Sequence, residues 1–225
     1  MNNIKLFIAS ISILILGAVT IATGSVSDEV TRFKQNNPKA WQAVIAYKKA
    51  IQSNNSLMIQ LLIQCPAKCQ QIAYLKTSLI VAQHKFYSRI NKSLLRDLSG
   101  KIDLPENFNE NFFELIEEKN FEKNLRVAHG ANCAMVFDKD TGAYIALTRV
   151  KGKWYIDIDI EPCAFLNEEI YSSCIFESVL AYRKATKDLA GSDTKQQKVI
   201  ARLTKKIDSI WEKYDALMPS DDEEN

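Results

Sequence analysis

Apolar residues recur at helical spacing through the first part of the chain. Asn37-Pro38 is a favourable helix start. The Asn side chain can accept hydrogen bonds from the unpaired amides of the first turn. Pro has no amide hydrogen, but at the first helical position that hydrogen would have no partner. The pattern that follows predicts a helix from Pro38 to Ile51. Ser53-Asn54-Asn55 interrupts this helix, and the run "SLMIQLLIQ" predicts a short buried helix after it.

Two further helices are predicted before the middle of the chain. Apolar positions that step by three or four predict a long helix over 70–98, with Gly100 as its stop. The segment "LPENFNENFFELIEEKNFEKN" predicts a shorter helix with loops, which directs Phe112, Phe113 and Ile116 inward.

The hydrophobic period changes from helical to two near Leu125. "RVAHGANCAMVFD" is typical of one strand broken near Gly130, "AYIALTRV" of a second strand and "KWYIDIDI" of a third. The turns "DKDTG" and "KGK" are short, so the strands are expected to pair antiparallel as a meander. Helices must then cover the apolar face of this sheet.

The last part of the chain returns to helix. "FLNEEIYSSCIFESVLAYRKATKDLA" predicts one helix that ends at Gly191, and a second helix follows from Asp193. The second helix carries a seam of apolar residues, namely Leu203, Ile207, Ile210, Tyr214 and Leu217. The seam is under about three heptads long, so two alternatives stay open. It packs on its own chain, or it meets a partner helix, for example in a homodimer.

These elements predict the α+β class, with helices packed on a small antiparallel β-meander and a C-terminal helical hairpin. The expected organisation is a signal peptide (1–24), a polar N-terminal segment (25–37), an α+β core domain (38–162), the helical hairpin (163–218) and an acidic disordered tail (219–225).

The N-terminal sequence predicts export. Lys5 precedes an apolar run from Leu6 to Leu16, and small residues up to Gly24 follow, as in a cleavable signal peptide. The expected location is periplasmic or secreted. The alternative is an uncleaved membrane anchor, since 17 residues from Leu6 to Ala22 are at the short limit of a bilayer span. Membrane contact is expected only through this leader.

Charge and composition exclude several classes of function. The 225 residues carry a formal charge of +2, which is far from the concentrated basic face of a nucleic-acid-binding protein. The seven glycines form no phosphate-binding loop or dinucleotide fingerprint, so no cofactor is expected. The only histidines, His84 and His129, have no metal-ligand spacing with the cysteines, and no metal site is expected.

Three carboxylates follow one face of the predicted third strand. Asp157 and Asp159 lie roughly 7 Å apart on an extended chain, which is too wide for them and Glu161 to hold one metal together. With Tyr144 on the same face, Asp157 and Asp159 are candidates for acid–base catalysis if one of them is desolvated. The polar face of a half-covered sheet normally meets water, and this is the favoured interpretation.

Five cysteines in an exported chain indicate disulfide bonds with at least one cysteine left over. The disulfide candidates are Cys65, Cys69, Cys163 and Cys174. Cys133 alternates with Met135 and Phe137 and is expected to be buried and free. The motif "CPAKC" also admits a thiol-active protein, although thioredoxin-like chemistry uses two intervening residues rather than three.

Two segments resemble a known group of small exported domains. "NPKAWQAVIAYKKAIQSNNSLMIQLLI" is similar to the opening helices of nuclear-transport-factor-two-like (cystatin-like) domains, and "VKGKWYIDI" is similar to their last strand. The resemblance implies helices before a curved antiparallel sheet. Members of that group bind small molecules, act as protein modules or catalyse reactions, so the resemblance assigns no site residue here.

The absence of a catalytic motif favours a noncatalytic envelope module that binds a protein partner or a small ligand. One alternative is a small enzyme with an acid–base pocket on the sheet face. The other is a thiol-active envelope protein that uses Cys65 and Cys69.

Overall fold

The computed structural model describes residues 26–65, 69–90, 104–105, 108–119, 121–158 and 168–217. Its α-helices are α1 (Val26–Asn36), α2 (Pro38–Gln52), α3 (Ser56–Leu62), α4 (Gln70–Tyr87), α5 (Glu110–Glu117), α6 (Glu168–Asp188) and α7 (Asp193–Asp215). A 3₁₀ helix (Phe121–Asn124) precedes the strands β1 (Leu125–His129), β2 (Cys133–Asp138), β3 (Tyr144–Val150) and β4 (Lys153–Asp157). The predicted α+β class, with its antiparallel meander and C-terminal hairpin, is confirmed.

The chain forms two compact units that differ from the predicted division at residue 162. Among the described residues, one unit is made up of those within Met1–Ile45 and Glu118–Asp157, and the other of those within Ala46–Glu117 and Ile158–Asn225. The helices between Ala46 and Glu117 therefore group with the C-terminal hairpin, whereas they were expected to form the core domain with the sheet.

The first unit contains a four-stranded meander in the order β1-β2-β3-β4, not the three strands expected. Gly130 does not merely break one strand. Residues 130–132 reverse the chain, and the Gly130 amide donates to the Cys133 carbonyl at 2.8 Å. β1 and β2 therefore pair with each other, with His129 opposite Ala134.

Helix α1 was not predicted, because residues 25–37 have few apolar residues. Two of them, Val30 and Phe33, lie about one turn apart on one face and are buried. α1 packs on β1 through this face. Lys34 forms an ion pair with Glu122 of the 3₁₀ helix, and its ammonium lies 4.5 Å from the centre of the Trp41 ring.

The inward face of the sheet is set by the alternation along β2. Ala134, Val136 and Asp138 are buried, and Asp138 accepts from the Thr141 amide at 2.7 Å in the turn before β3. The residues that alternate with them, Cys133, Met135 and Phe137, therefore lie on the outward face. Cys133 is one of these, so the prediction that it is buried was wrong, although its thiol is free.

The second unit is built around α4. α4 packs against α6, and α6 packs against α7 in the predicted hairpin. The centre is a cluster of aromatic rings in which Phe86 lies edge-on to Tyr182 at 5.7 Å and to Phe108 at 6.1 Å. Tyr87 stacks on Phe113 at 5.6 Å.

Two helices of the second unit differ from their predictions. α4 ends at Tyr87 and the chain continues to Ile90 as a turn, while residues 91–98 of the predicted helix lie outside the described residues. The predicted stop at Gly100 lies outside the described residues. α3 is not a buried helix: only Ile59 of its seven residues is buried, while Leu57 and Leu61 are 65% and 67% exposed. Two turns of helix can direct only one narrow stripe inward.

None of the helices in the described part of the chain is long and apolar enough to cross a membrane. The predicted leader lies before residue 26, outside the described residues.

Candidate functional site

A pocket of about 330 Å³ lies between α6 and α7, near the first turns of α6 and the last turns of α7. The residues that line it are Glu169, Ile170, Ser173, Cys174, Glu177, Ile210, Lys213, Tyr214 and Leu217. On each helix they recur three or four positions apart, so they form two facing stripes. The antiparallel hairpin brings these stripes together because residues 189–192 reverse the chain.

The walls of the pocket are mainly apolar. Ile170 from α6 and Ile210 from α7 line it, and Leu217, which is 57% exposed, extends just beyond the end of α7. The Tyr214 ring is held by Tyr171 at 5.5 Å and by Trp211 at 5.7 Å between ring centres. Packed aromatic neighbours fix the orientation of this ring, so the pocket has one rigid wall.

Charged residues line the pocket together with these walls. Glu169 and Glu177 come from α6 and Lys213 from α7, so the lining carries one net negative charge. The Glu177 carboxylate also lies 3.6 Å from the ammonium of Lys206. In the described part of the chain, Glu169 has no ion pair.

Cys174 is the one thiol in the pocket wall. It is buried, and its sulfur lies 3.8 Å from the Ile210 carbonyl oxygen. Burial raises the pKa of this thiol, the negative charges of Glu177 and Asp215 raise it further, and Lys213 opposes them. The protonated thiol is a small apolar group and a poor nucleophile.

This arrangement predicts slow alkylation of Cys174. Iodoacetamide reacts with the thiolate, which burial and the nearby acids disfavour, so Cys174 should react at least several-fold more slowly at pH 8 than exposed Cys133. Peptide mass mapping over time measures both rates in the same sample. Equal rates at the two cysteines would contradict the buried, acidic surroundings assigned to Cys174.

The seam predicted on the last helix is divided between two roles. Leu203, Ile207 and Ile210 are buried in the core that α7 shares with α6. Their packing on the same chain removes them from any partner surface, so the partner-helix alternative is wrong for these three. Ile210 also lines the pocket, together with Tyr214 and Leu217 at the end of the seam.

The cysteines named as disulfide candidates differ in their bonding. Cys65 and Cys174 carry free thiols, while Cys69, which precedes α4, is disulfide-bonded. Its partner is neither of these nor Cys133, and Cys163 lies outside the described residues. Cys65 and Cys69 are therefore not bonded to each other in the structure, and the thiol-active alternative stays a prediction.

The two acid–base candidates in the described part of the chain lie on the sheet. Asp157 is exposed at the end of β4, opposite Ala146, and Tyr144 is exposed at the start of β3. Asp159 lies outside the described residues. Neither Tyr144 nor Asp157 lines the pocket between α6 and α7.

His84 is the centre of a second polar cluster, which sequence reasoning missed. It is 2% exposed, and its Nδ1 and Nε2 atoms lie 3.1 Å from Asn54 Oδ1 and 2.6 Å from Glu117 Oε1. Lys48 and Gln52 donate to the Ile116 carbonyl beside it. The cluster joins the end of α2 to α4 and α5. Its members are about 30 residues apart in sequence, so no local pattern indicates it.

His129 is exposed at the end of β1, with its ring 5.8 Å from that of Phe33. Among the described residues, no group of three or more His, Cys, Asp or Glu side chains is placed to hold a metal ion.

The fold and the pocket define an α+β protein with a ligand-sized pocket in a helical hairpin. Comparison of the chain with protein-family models, with curated proteins and with solved structures finds no match. The resemblance to nuclear-transport-factor-two-like domains stays a prediction.

Proposed function

We propose that the protein is a noncatalytic exported module that binds a small amphipathic cation in the pocket between α6 and α7. One observation carries the proposal: an apolar pocket of about 330 Å³ that is also lined by the carboxylates of Glu169 and Glu177. This volume is at the lower end of the range of about 300–1,000 Å³ that is typical of small-ligand sites. Export rests on the N-terminal sequence alone.

The charges favour a cationic ligand over an anionic one. Glu177 already faces Lys206, whereas Glu169 has no ion pair among the described residues and is available to an ammonium group. The Tyr214 ring offers a second attraction, because the face of an aromatic ring attracts a cation. An apolar body would lie against Ile170 and Ile210, away from water.

The same site supports binding rather than catalysis. The raised pKa of Cys174 keeps its thiol protonated, and no histidine is among the described residues that line the pocket. The acid–base alternative has less support, since Asp157 is exposed and a solvated carboxylate is a weak base at neutral pH.

A matched ligand series tests the proposal. Isothermal titration calorimetry of the full chain would compare 4-phenylbutylamine, 4-phenylbutanol and 4-phenylbutanoate, which share an apolar body and differ in charge. At about 0.3–0.5 kcal/mol per heavy atom, the amine is expected to bind with a Kd of about 0.1–4 mM. The alcohol should bind more weakly, and the carboxylate most weakly.

Two variants with the same bulky substitution locate the binding. Ser173→Trp places an indole in the pocket from an exposed position and should abolish amine binding. Leu180→Trp, at an exposed position two turns further along α6 and outside the pocket, should leave the Kd unchanged. Equal affinities for the amine and the carboxylate, or amine binding that survives Ser173→Trp, would refute the proposed site.

A further inference from the structure

The outer edge of β4 is a surface suited to pairing with another strand. β4 is the last strand in the order β1-β2-β3-β4, and in the described part of the chain no strand pairs with its other edge. It contains no proline and no bulge that would block such pairing.

The turn before β4 determines which backbone groups face this edge. Lys151 and Gly152 both have positive φ, 49° and 81°, as in a two-residue hairpin loop, so Val150 and Lys153 form a hydrogen-bonded pair. Hydrogen-bonded and non-hydrogen-bonded pairs alternate along the ladder. The amides and carbonyls of Lys153, Tyr155 and Asp157 therefore face β3, whereas those of Trp154 and Ile156 face the outer edge.

The charges of β4 are arranged for pairing with a second copy of itself. Lys153 and Asp157 are exposed at the two ends of the strand, on the same face and at equal distances from Tyr155. A twofold axis at Tyr155 would place each Lys153 opposite the partner subunit's Asp157. The same register would place Trp154 opposite the partner subunit's Ile156. In each subunit these are the positions whose backbone groups face the outer edge.

We propose that two copies of this chain pair antiparallel through β4, about a twofold axis at Tyr155, and join their meanders into one eight-stranded sheet. This register pairs all five residues of the strand, joins the outward-facing backbone groups and places opposite charges across from each other. Only two hydrogen-bonded pairs form, so the dimer is weak, with a Kd below about 1 mM. Because the charge pairs are exposed, salt should weaken the dimer further. Lys153 and Asp157 lie at non-hydrogen-bonded sites, where opposing side chains are closest.

Charge reversal tests the register. Lys153→Asp and Asp157→Lys each replace two attractive pairs by two repulsive ones, so each variant alone should dimerise at least about tenfold more weakly than the natural chain. Mixing the two variants restores attraction at both pairs, and the heterodimer should recover the natural affinity. Analytical ultracentrifugation of the full chains at low salt measures all three constants, and circular dichroism checks that the variants fold.

Crosslinking provides a second, independent test. In a Cys133→Ser background, Tyr155→Cys would place two thiols on the twofold axis, so mild oxidation should produce a covalent dimer. Lys153→Cys in the same background lies away from the axis and should crosslink at least tenfold more slowly.

A natural chain that stays monomeric at millimolar concentration would overturn the proposal and leave the edge to an extended peptide of another protein. Reversal variants that dimerise like the natural chain, or equal crosslinking at both positions, would also overturn it.

Discussion

Phe86→Ala is expected to lower the free energy of unfolding by about 3–5 kcal/mol, a large share of the stability of a typical domain. Phe86 is fully buried in α4, with its ring edge-on to those of Phe108 and Tyr182. Truncation removes the burial of the ring and leaves a cavity between α4 and α6 that rigid helices cannot close. Urea denaturation followed by circular dichroism measures the change.

Phe176→Ala is the matched control for this substitution. Phe176 lies on α6 in the same unit, but half of its surface is exposed to solvent, so the same truncation should cost less than about 1 kcal/mol. If both variants lost the same stability, the aromatic cluster would not be the centre of the second unit.

His84→Leu is expected to cost about 1–3 kcal/mol, although leucine has a similar volume. The substitution removes both hydrogen bonds of the imidazole, so Asn54 Oδ1 and Glu117 Oε1 lose their partner in the cluster. Asn54 has a positive φ of 54°, and its hydrogen bond to His84 helps to hold this conformation at the end of α2. Thermal and urea denaturation of the full chain would measure the loss.

His129→Leu is the control for the second prediction. His129 is exposed at the end of β1, and the substitution should change stability by no more than about 0.5 kcal/mol. A His84→Leu protein as stable as the natural chain would show that the Asn54–His84–Glu117 cluster contributes nothing to folding.

Local sequence patterns correctly predicted the elements that are bounded by a clear start or turn signal. Asn37-Pro38 marked the start of α2, and the glycines in "DKDTG" and "KGK" marked two reversals of the sheet. α1 was missed because Val30 and Phe33 are too few to make a periodic pattern. The early end of α4 was missed because Ile90 and Leu94 continue the helical spacing, and Ile90 is indeed buried, but in a turn.

Long-range arrangement was less accessible from the sequence. Both faces of β2 carry apolar residues, so the alternation alone does not show whether Cys133 or Ala134 points inward. Asp138 decides it, because its side chain is buried where it accepts from the next turn, and it shares a face with Ala134. The grouping of α4 with α6 depends on the match of aromatic side chains nearly 100 residues apart. No periodicity within either helix contains that information.

Several residues that line the pocket were identified from the sequence, but for other roles. Cys174 was named as a disulfide candidate, and Ile210, Tyr214 and Leu217 as part of a partner seam. The signal that was overlooked is the stripe Ile170, Cys174, Glu177 on α6, which an antiparallel hairpin must bring opposite the end of the seam. Once a hairpin is predicted, its two stripes can be read together.

The central claim is that the pocket between α6 and α7 binds a small amphipathic cation. The most direct test is a ¹H–¹⁵N NMR titration of the full chain with 4-phenylbutylamine. We expect saturable shifts confined to the pocket, at amides such as those of Ile170, Cys174, Ile210 and Leu217, and their loss in Ser173→Trp. Shifts that centre on other residues, that fail to saturate or that persist in Ser173→Trp would contradict it.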